Sequence, residues 1–175
     1  MTHYVDINIL RVMSLPYETT LHVRDACLCL HTQRAARVLA RRFDAALRPA
    51  GVTNEQFSLL MALNRPLPPQ IGELAALLGA DRTTLTAALK PLVRQNLAEV
   101  LADADDGRVR RAALTPEGHA RLTAALPFWT ETHAAIEAEL ADADPARLRR
   151  DLASIAAPKP GVPAPSLCDD QENNS

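Results

Sequence analysis

Charged residues are unusually dense in the segment DADDGRVRR, residues 103–111. Its acidic half ends at Gly107, and a cluster of Asp and Gly between two apolar runs favours a turn. The flanking runs, 98–101 and 109–114, are short enough to be the two strands of a hairpin. The segment therefore predicts a hairpin whose loop carries the charges.

The arginines of this segment would lie at or beside the protruding loop: Arg108, Arg110 and Arg111. A guanidinium at the end of such a loop can enter a DNA minor groove, where the negative potential is strongest over narrow A·T-rich stretches. Asp106, two residues before Arg108, is placed to hold that side chain. The predicted chemistry is electrostatic recognition of DNA by a wing, with Arg108 in the minor groove.

A helix-turn-helix is predicted immediately upstream of the hairpin. Residues 71–96 divide into two helical patterns around LGAD, residues 78–81, which resembles the turn of that motif. Asp81 is a good N-cap, because its carboxylate can accept hydrogen bonds from the free amides of the next turn. Residues expected to form the core face of the second helix recur at helical spacing: Leu85, Leu89, Leu92 and Val93.

The opposite surface of this second helix, residues 81–95, is suited to the major groove. It carries a long donor, small hydroxyls, an alanine and a lysine: Arg82, Thr83, Thr84, Thr86, Ala87 and Lys90. Such side chains can contact phosphates and base edges, and methyl groups can meet thymine. Arg82 and Thr86 are the preferred candidates for base contacts. Pro91 is expected to bend or loosen the second half of the helix, because it removes the bond to the Ala87 carbonyl.

The order helix, turn, helix, hairpin, helix resembles the MarR family of bacterial transcription regulators. The resemblance runs from about Asp25 to Leu140. It is most specific in the wing, where the pattern D-x-x-D-x-R-x5-L-T-x-x-G is carried by Asp103, Asp106, Arg108, Leu114, Thr115 and Gly118. Residues 71–75 (IGELA) are similar to the first motif helix. Asn96 stands where the family usually has glycine, and asparagine tolerates the left-handed conformation needed there.

The resemblance implies a mainly α fold with a small β-hairpin wing, a winged helix-turn-helix with long terminal dimerisation helices. The MarR-like domain is expected to span residues 20–157, with the winged helix-turn-helix at 53–115 and the dimerisation helices at 20–48 and 116–157. Residues 1–19 are expected to be a flexible arm, with translation starting at Met1 or Met13. The Pro-rich, polar residues 158–175 are expected to be a disordered tail.

Helix signals define the other element boundaries. One long helix is predicted from Thr20 to Leu47, a capping box is predicted at Thr53 and Gln56, and further helix starts at Thr115 and Asp144. The helix after the wing is rich in large apolar residues: Leu122, Leu126, Phe128, Trp129, Ile136 and Leu140. Two interpretations remain open, burial against a second copy of the chain or packing on the long first helix of the same chain.

Cys27, Cys29 and His31 are the other residues that could carry chemistry. On a continuous helix Cys27 and His31 share a face and Cys29 points elsewhere, which disfavours both a zinc site and a local disulfide. Cysteines in a Leu-rich helix can also be small buried hydrophobes. The resemblance adds a third interpretation, because Cys29 lies about where the organic-hydroperoxide-sensing branch of the family has its reactive cysteine.

That branch surrounds its cysteine with tyrosines, which hydrogen-bond the thiolate. Gln33, Phe43 and Asn54 stand at the corresponding positions of this chain. The supporting group of donors is therefore expected to be missing around Cys29, which is a candidate regulatory thiol.

Composition limits the function classes. The chain has 175 residues, 47% hydrophobic and only 3% aromatic, enough for one domain with an aliphatic core. No run of about 18 apolar residues and no signal-like stretch occurs, so a cytoplasmic protein without membrane contact is expected. A net charge of −2 argues against a generally basic nucleic-acid binder, so DNA affinity must come from locally placed cations.

No phosphate loop, nucleophile elbow or metal-ligand cluster occurs, so neither an enzyme nor a cofactor or metal is expected. The predicted function is a sequence-specific DNA-binding regulator. The resemblance further implies a homodimeric repressor on a palindromic double-stranded operator, released by a small aromatic effector or by thiol oxidation. A winged-helix module that binds proteins without specific DNA binding is the alternative.

Overall fold

A computed structural model describes residues 15–140 and 143–157 of the chain. Its elements, in chain order, are α1 (Tyr17–Ala26), α2 (Leu28–Leu47), a 3-10 turn (Arg48–Ala50), α3 (Asn54–Leu63), α4 (Ile71–Leu78), α5 (Arg82–Arg94), β1 (Ala98–Ala102), β2 (Arg110–Leu114), α6 (Pro116–Glu139) and α7 (Pro145–Ala156). The mainly helical fold with one antiparallel hairpin is confirmed. The predictions for residues 1–14 and 158–175, including the translation start and the disordered tail, lie outside the described residues.

The predicted single helix from Thr20 to Leu47 is wrong. The first helix begins at Tyr17, and the chain leaves helical geometry at Cys27, whose φ and ψ are −75° and 105°. The Cys27 amide still donates to the Val23 carbonyl, while the Cys27 sulfur accepts a bond from the Leu30 amide at 3.4 Å. Cys27 therefore ends α1 and caps α2, a position where cysteine is not a usual residue.

Local hydrogen bonds confirm the other predicted helix starts. The reciprocal capping box at Thr53 and Gln56 is formed, and Asp81, Thr115 and Asp144 each accept amide bonds from the first turns of α5, α6 and α7. Asn96 adopts the predicted left-handed conformation after α5, with φ of 56°. Both α5 and α6 continue through their internal prolines, Pro91 and Pro127.

Leucines from α2 to α6 form one continuous core. Its largest fully buried side chains are Leu47, Leu59, Leu60, Leu74, Leu89, Leu92 and Leu97. Trp129 of α6 stacks with Phe43 of α2 and with Phe57 of α3, at centroid distances of 6.5 and 6.2 Å. The core thus joins the long helices to the winged unit, which we define as residues 54–114.

Val93 does not belong to the core face of α5, and that prediction is wrong. Leu85, Leu89 and Leu92 are buried, whereas Val93 is 42% exposed. A helix turns about 100° per residue, so Val93 lies beyond the edge of the stripe that the three leucines define.

The winged unit and α6 meet at a tight junction. The Thr115 hydroxyl donates to the Asn96 carbonyl at 2.5 Å and accepts from the Gly118 amide at 3.0 Å, and the Thr115 amide donates to the Leu97 carbonyl. Gly118 is buried in the first turn of α6, and a Cβ there would overlap the Leu97 carbonyl oxygen. The close approach of α6 to the start of β1 therefore requires glycine.

We predict opposite effects for alanine at two helical glycines. Gly118→Ala should lower the free energy of unfolding by about 1–3 kcal/mol, because the added methyl forces α6 away from Leu97. Gly72, exposed in α4 with open space around its Cβ direction, is the matched control. Gly72→Ala should raise stability by about 0.5–1 kcal/mol through helix propensity. Urea denaturation checks both, and equal effects at the two sites would contradict the junction geometry.

Candidate nucleic-acid interface

The predicted reading face of α5 is exposed. Its members Arg82, Thr83, Thr84, Thr86 and Lys90 all face solvent. Two of the hydroxyls are already engaged within the helix, since Thr84 donates to Asp81 Oδ2 and Thr86 donates to the Arg82 carbonyl, both at 2.7 Å. Their oxygens can accept further bonds, but their protons are not free for DNA.

Asp81 makes the first turn of α5 regular. Its Oδ1 accepts the Thr84 amide at 2.7 Å while Oδ2 accepts the Thr84 hydroxyl. These two bonds, the hydroxyl's first, hold the pKa of Asp81 below its ordinary value. The ionised carboxylate also suits the positive end of the helix dipole. Thr84 is thus part of the cap as well as of the reading face.

The hairpin turn is organised by one aspartate. Asp103 Oδ1 accepts the amides of Asp105 and Asp106, at 2.9 and 3.2 Å. The backbone closes the turn through bonds from Val109 to Asp106 and from Asp103 to Val109. The turn amides, together with the guanidinium of Arg111, hold the pKa of Asp103 below its ordinary value.

The three wing arginines have different surroundings. Arg108 and Arg110 are exposed, and neither forms an ion pair with any residue of the described chain. Arg111 is half-buried, pairs with Asp103, and donates to the Pro68 carbonyl at 2.8 Å. The residues available to DNA at the wing are therefore Arg108 and Arg110, and Arg111 is used within the protein.

The predicted hold of Asp106 on the Arg108 side chain is wrong. Asp106 Oδ1 accepts the backbone amide of Arg108 at 2.9 Å, an aspartate turn that fixes the backbone and leaves the guanidinium unattached. The short Asp side chain favours such a bond to an amide two residues later.

Cys29 has a hydrogen-bond donor that the sequence comparison did not predict. The thiol is exposed in the first turn of α2, and Gln33 Nε2 donates to Sγ at 3.2 Å. Arg37 in turn donates to Gln33 Oε1 at 3.5 Å. The prediction that donors are missing around Cys29 is therefore wrong for Gln33.

The break between α1 and α2 at Cys27 also affects the predictions about a local disulfide and about the residues around Cys29. Phe43 stacks on Trp129 and contributes no donor. Because Cys27 has extended geometry, the argument from a continuous helix against a local disulfide does not apply at this point. The exposure of Cys29 also excludes the interpretation that it is a buried hydrophobe.

Comparisons with known proteins agree with this geometry. The sequence model of the MarR family matches residues 50–109, which cover the turn before α3 through the wing loop. The transcriptional regulator MosR of M. tuberculosis, solved in complex with DNA, is 42% identical, with a TM-score of 0.68 over 74% of this chain and 93% of MosR. No curated protein sequence matches the chain significantly.

A second solved relative is more distant. The transcriptional repressor CouR bound to a 23-mer DNA duplex is 26% identical, with a TM-score of 0.64 over 82% of this chain and 99% of CouR. CouR from Rhodococcus jostii bound to p-coumaroyl-CoA superposes with a TM-score of 0.66 at 21% identity, over 77% of this chain and 94% of that one. At that identity the likeness concerns the fold.

We predict that Asp81→Ala lowers the urea midpoint of unfolding at neutral pH, because it removes the cap of α5. The folded pKa of Asp81 lies below the ordinary value of 3.8, so its stabilisation is present above that value and disappears as the pH falls through the folded pKa. The difference between variant and wild type should therefore vanish well below pH 3.8. Asp105→Ala, which removes the same charge from an exposed side chain, is the control. A difference that persists at the lowest pH would contradict a charged cap.

Proposed function

This chain belongs to the MarR family of DNA-binding transcription regulators, and on that premise we propose that it is a homodimeric repressor of a palindromic operator. The observation that carries the proposal is the presence in one winged unit of two exposed wing arginines, without an ion-pair partner among the described residues, and of an exposed polar face on α5. A non-catalytic role in the cytoplasm follows from the same proposal. Among the described helices, none combines the length and the apolar composition that a membrane-spanning segment requires.

The recognition helix α5 would enter the major groove. Arg82 and Lys90 supply long cationic donors, and the Thr83 and Thr86 side chains offer methyl groups and acceptor oxygens. Thr84 has a smaller role, since its hydroxyl and amide both bond to Asp81. Arg108 would enter the minor groove, with Arg110 at the adjacent phosphates.

The terminal helices support a second copy of the chain as partner. Neither α1 nor α7 buries a residue within its own chain. Their exposed apolar side chains are Tyr17, Val23, Leu148, Leu152 and Ile155. A two-fold axis through such faces would space two α5 helices along one face of the duplex.

Some of the apolar residues of α6 pack within their own chain, and others remain available to a second copy. Leu122 is buried in its own chain, and Phe128 and Trp129 pack against the core, so these three follow the intramolecular alternative. Leu126 is 44% exposed and remains available to a partner.

DNA binding is favoured over a protein-interaction module. The relative MosR, more than 40% identical, was solved with DNA, and so was CouR. The formal charge of −2 means that affinity must come from the local cations of α5 and the wing.

Two signals are compatible with release from the operator. An aromatic effector is the signal that the family resemblance implies, and CouR, which shares the fold, was solved with p-coumaroyl-CoA. Such a ligand would bind more tightly to the dimer conformation in which the spacing of the two winged units does not fit DNA. DNA would in turn weaken the binding of the ligand. Thiol oxidation is supported by the exposed Cys29 and its bond from Gln33, an observation made on this chain itself.

We predict that Arg108→Ala weakens operator binding about tenfold and reduces the slope of log affinity against log salt by about one phosphate equivalent. The reason is the loss of one cation at the duplex. Arg48→Ala, which removes an exposed arginine of the 3-10 turn outside the winged unit, is the control and should leave both quantities unchanged. Fluorescence anisotropy on the upstream DNA at several salt concentrations measures them. Unchanged binding by Arg108→Ala would remove the wing tip from the mechanism.

We predict that an organic hydroperoxide releases the wild-type protein from DNA and that Cys29→Ser abolishes the release. The thiolate sulfur attacks the distal peroxide oxygen and the O–O bond breaks, so that Cys29 becomes a sulfenic acid, while the departing alkoxide takes a proton from water and leaves as an alcohol. Gln33→Leu should slow the release several-fold, because it removes the hydrogen bond that holds the Cys29 sulfur in position.

The chain has two other cysteines that can capture the sulfenic acid, Cys27 at the start of α2 and Cys168 in the segment 158–175. Mass spectrometry of the Cys27→Ser and Cys168→Ser variants would identify which of them does. Hydroperoxide-induced release that persists in Cys29→Ser would exclude Cys29 as the switch, whereas a wild-type protein that stays on DNA would leave the aromatic effector as the signal.

A further inference from the structure

The Arg111 side chain connects the wing to the loop before the helix-turn-helix. It pairs with Asp103 Oδ2 at the base of the turn, and its Nη1 donates to the Pro68 carbonyl at 2.8 Å. The Asp103 side chain is 9% exposed, less than any other ion-paired carboxylate in the part of the chain that is described. Such a partly shielded, hydrogen-bonded pair holds its geometry better than an exposed one.

The backbone beside Arg111 makes a second connection to the same loop. Gln70 and Arg111 form an antiparallel bridge, and the Ala112 amide donates to the Pro69 carbonyl at 3.1 Å. Gln70 is also the N-cap of α4, where its amide donates to Glu73 Oε2 at 3.0 Å. The end of the loop is therefore held by β2 at the residue that starts the helix-turn-helix.

The connection continues from Arg111 to the wing tip. Asp103 accepts the amides of Asp105 and Asp106 with its other oxygen, and Asp106 accepts the amide of Arg108. An unbroken series of hydrogen bonds thus runs from Pro68 to the backbone of Arg108. A two-stranded hairpin is marginal by itself, so these bonds matter for the position of its tip.

We propose that Arg111 is a positioning residue, which fixes the backbone of Arg108 relative to α4 and α5 and does not itself touch DNA. The proposal rests on the DNA-binding role of Arg108 given above. Its physical effect is preorganisation, because a wing that is already ordered loses less conformational freedom when it binds the duplex.

A double-mutant cycle in operator affinity tests this assignment. Arg111→Met should weaken binding severalfold in the wild-type background and have almost no effect in the Arg108→Ala background, since it acts only through Arg108. The slope of log affinity against log salt should be the same in the double variant as in Arg108→Ala alone. Additive losses would overturn the proposal, because they would mean a direct DNA contact by Arg111 or a general loss of stability.

Two substitutions distinguish the connection from charge alone. Asp103→Asn keeps an acceptor for the turn amides but removes the ion pair, and it should show the same non-additivity with Arg108→Ala. Arg111→Lys keeps the charge but cannot span both acceptors with a planar fork, so it should restore only part of the affinity. Full restoration by lysine would overturn the two-acceptor role.

Hydrogen exchange gives a measurement independent of DNA. In Arg111→Met the Ala112 amide, which bonds to Pro69, should exchange about tenfold faster, while the Leu85 amide in α5 keeps its rate. Unchanged exchange at Ala112 would overturn the positioning role. Faster exchange combined with normal DNA binding by Arg108→Ala would show instead that Arg111 holds the wing but that the proposed contact of Arg108 with DNA is wrong.

Discussion

The position of the winged unit relative to α6 depends on the hydroxyl of Thr115. It is the one buried polar side chain in the described part of the protein, and both its donor and its acceptor capacity are used, toward Asn96 and Gly118. Through these bonds the end of α5, the start of β1, the end of β2 and the start of α6 meet at one point. A rotation of α6 must therefore carry the recognition helix and the wing together. A signal received by the long helices would change the spacing of two lobes in a dimer, and the wing would keep its place relative to α5.

The features of the winged unit and its junctions that depend on neighbouring residues in the chain were predictable from the sequence. A cap needs only a short polar side chain and a free amide nearby, and Asp81, Thr53 and Thr115 are used as their types suggest. The left-handed Asn96 followed from the same kind of argument. The leucine stripe of α5 was also correct, except for Val93 at its edge, because hydrophobicity alone cannot show where a buried stripe ends.

Features that depend on tertiary contacts were not predictable. Arg110 and Arg111 are the same residue type at adjacent positions, and strand geometry places them on opposite faces, but only the fold shows which face meets Pro68. That partner is 43 residues away in the sequence. The sequence does not indicate the break at Cys27, because a thiol acceptor replaces the oxygen that normally identifies a cap. The bond from Gln33 to Cys29 lies at helical spacing, but a pattern of tyrosine donors does not indicate that a glutamine amide can donate to the sulfur.

The distribution of bonded carboxylates explains how an acidic chain can present a cationic surface. Asp81 and Asp103 each accept hydrogen bonds from a backbone amide and from a side-chain donor, so their charges stabilise the first turn of α5 and the turn of the wing. Arg108 and Arg110 keep their full charge for a partner, because no described carboxylate pairs with them. A single winged unit nevertheless offers few cations, and each phosphate contact adds to the affinity for DNA in proportion to the number of contacts. In the proposed dimer that number doubles without a basic protein, which would make the exposed apolar faces of α1 and α7 as important to DNA binding as the arginines.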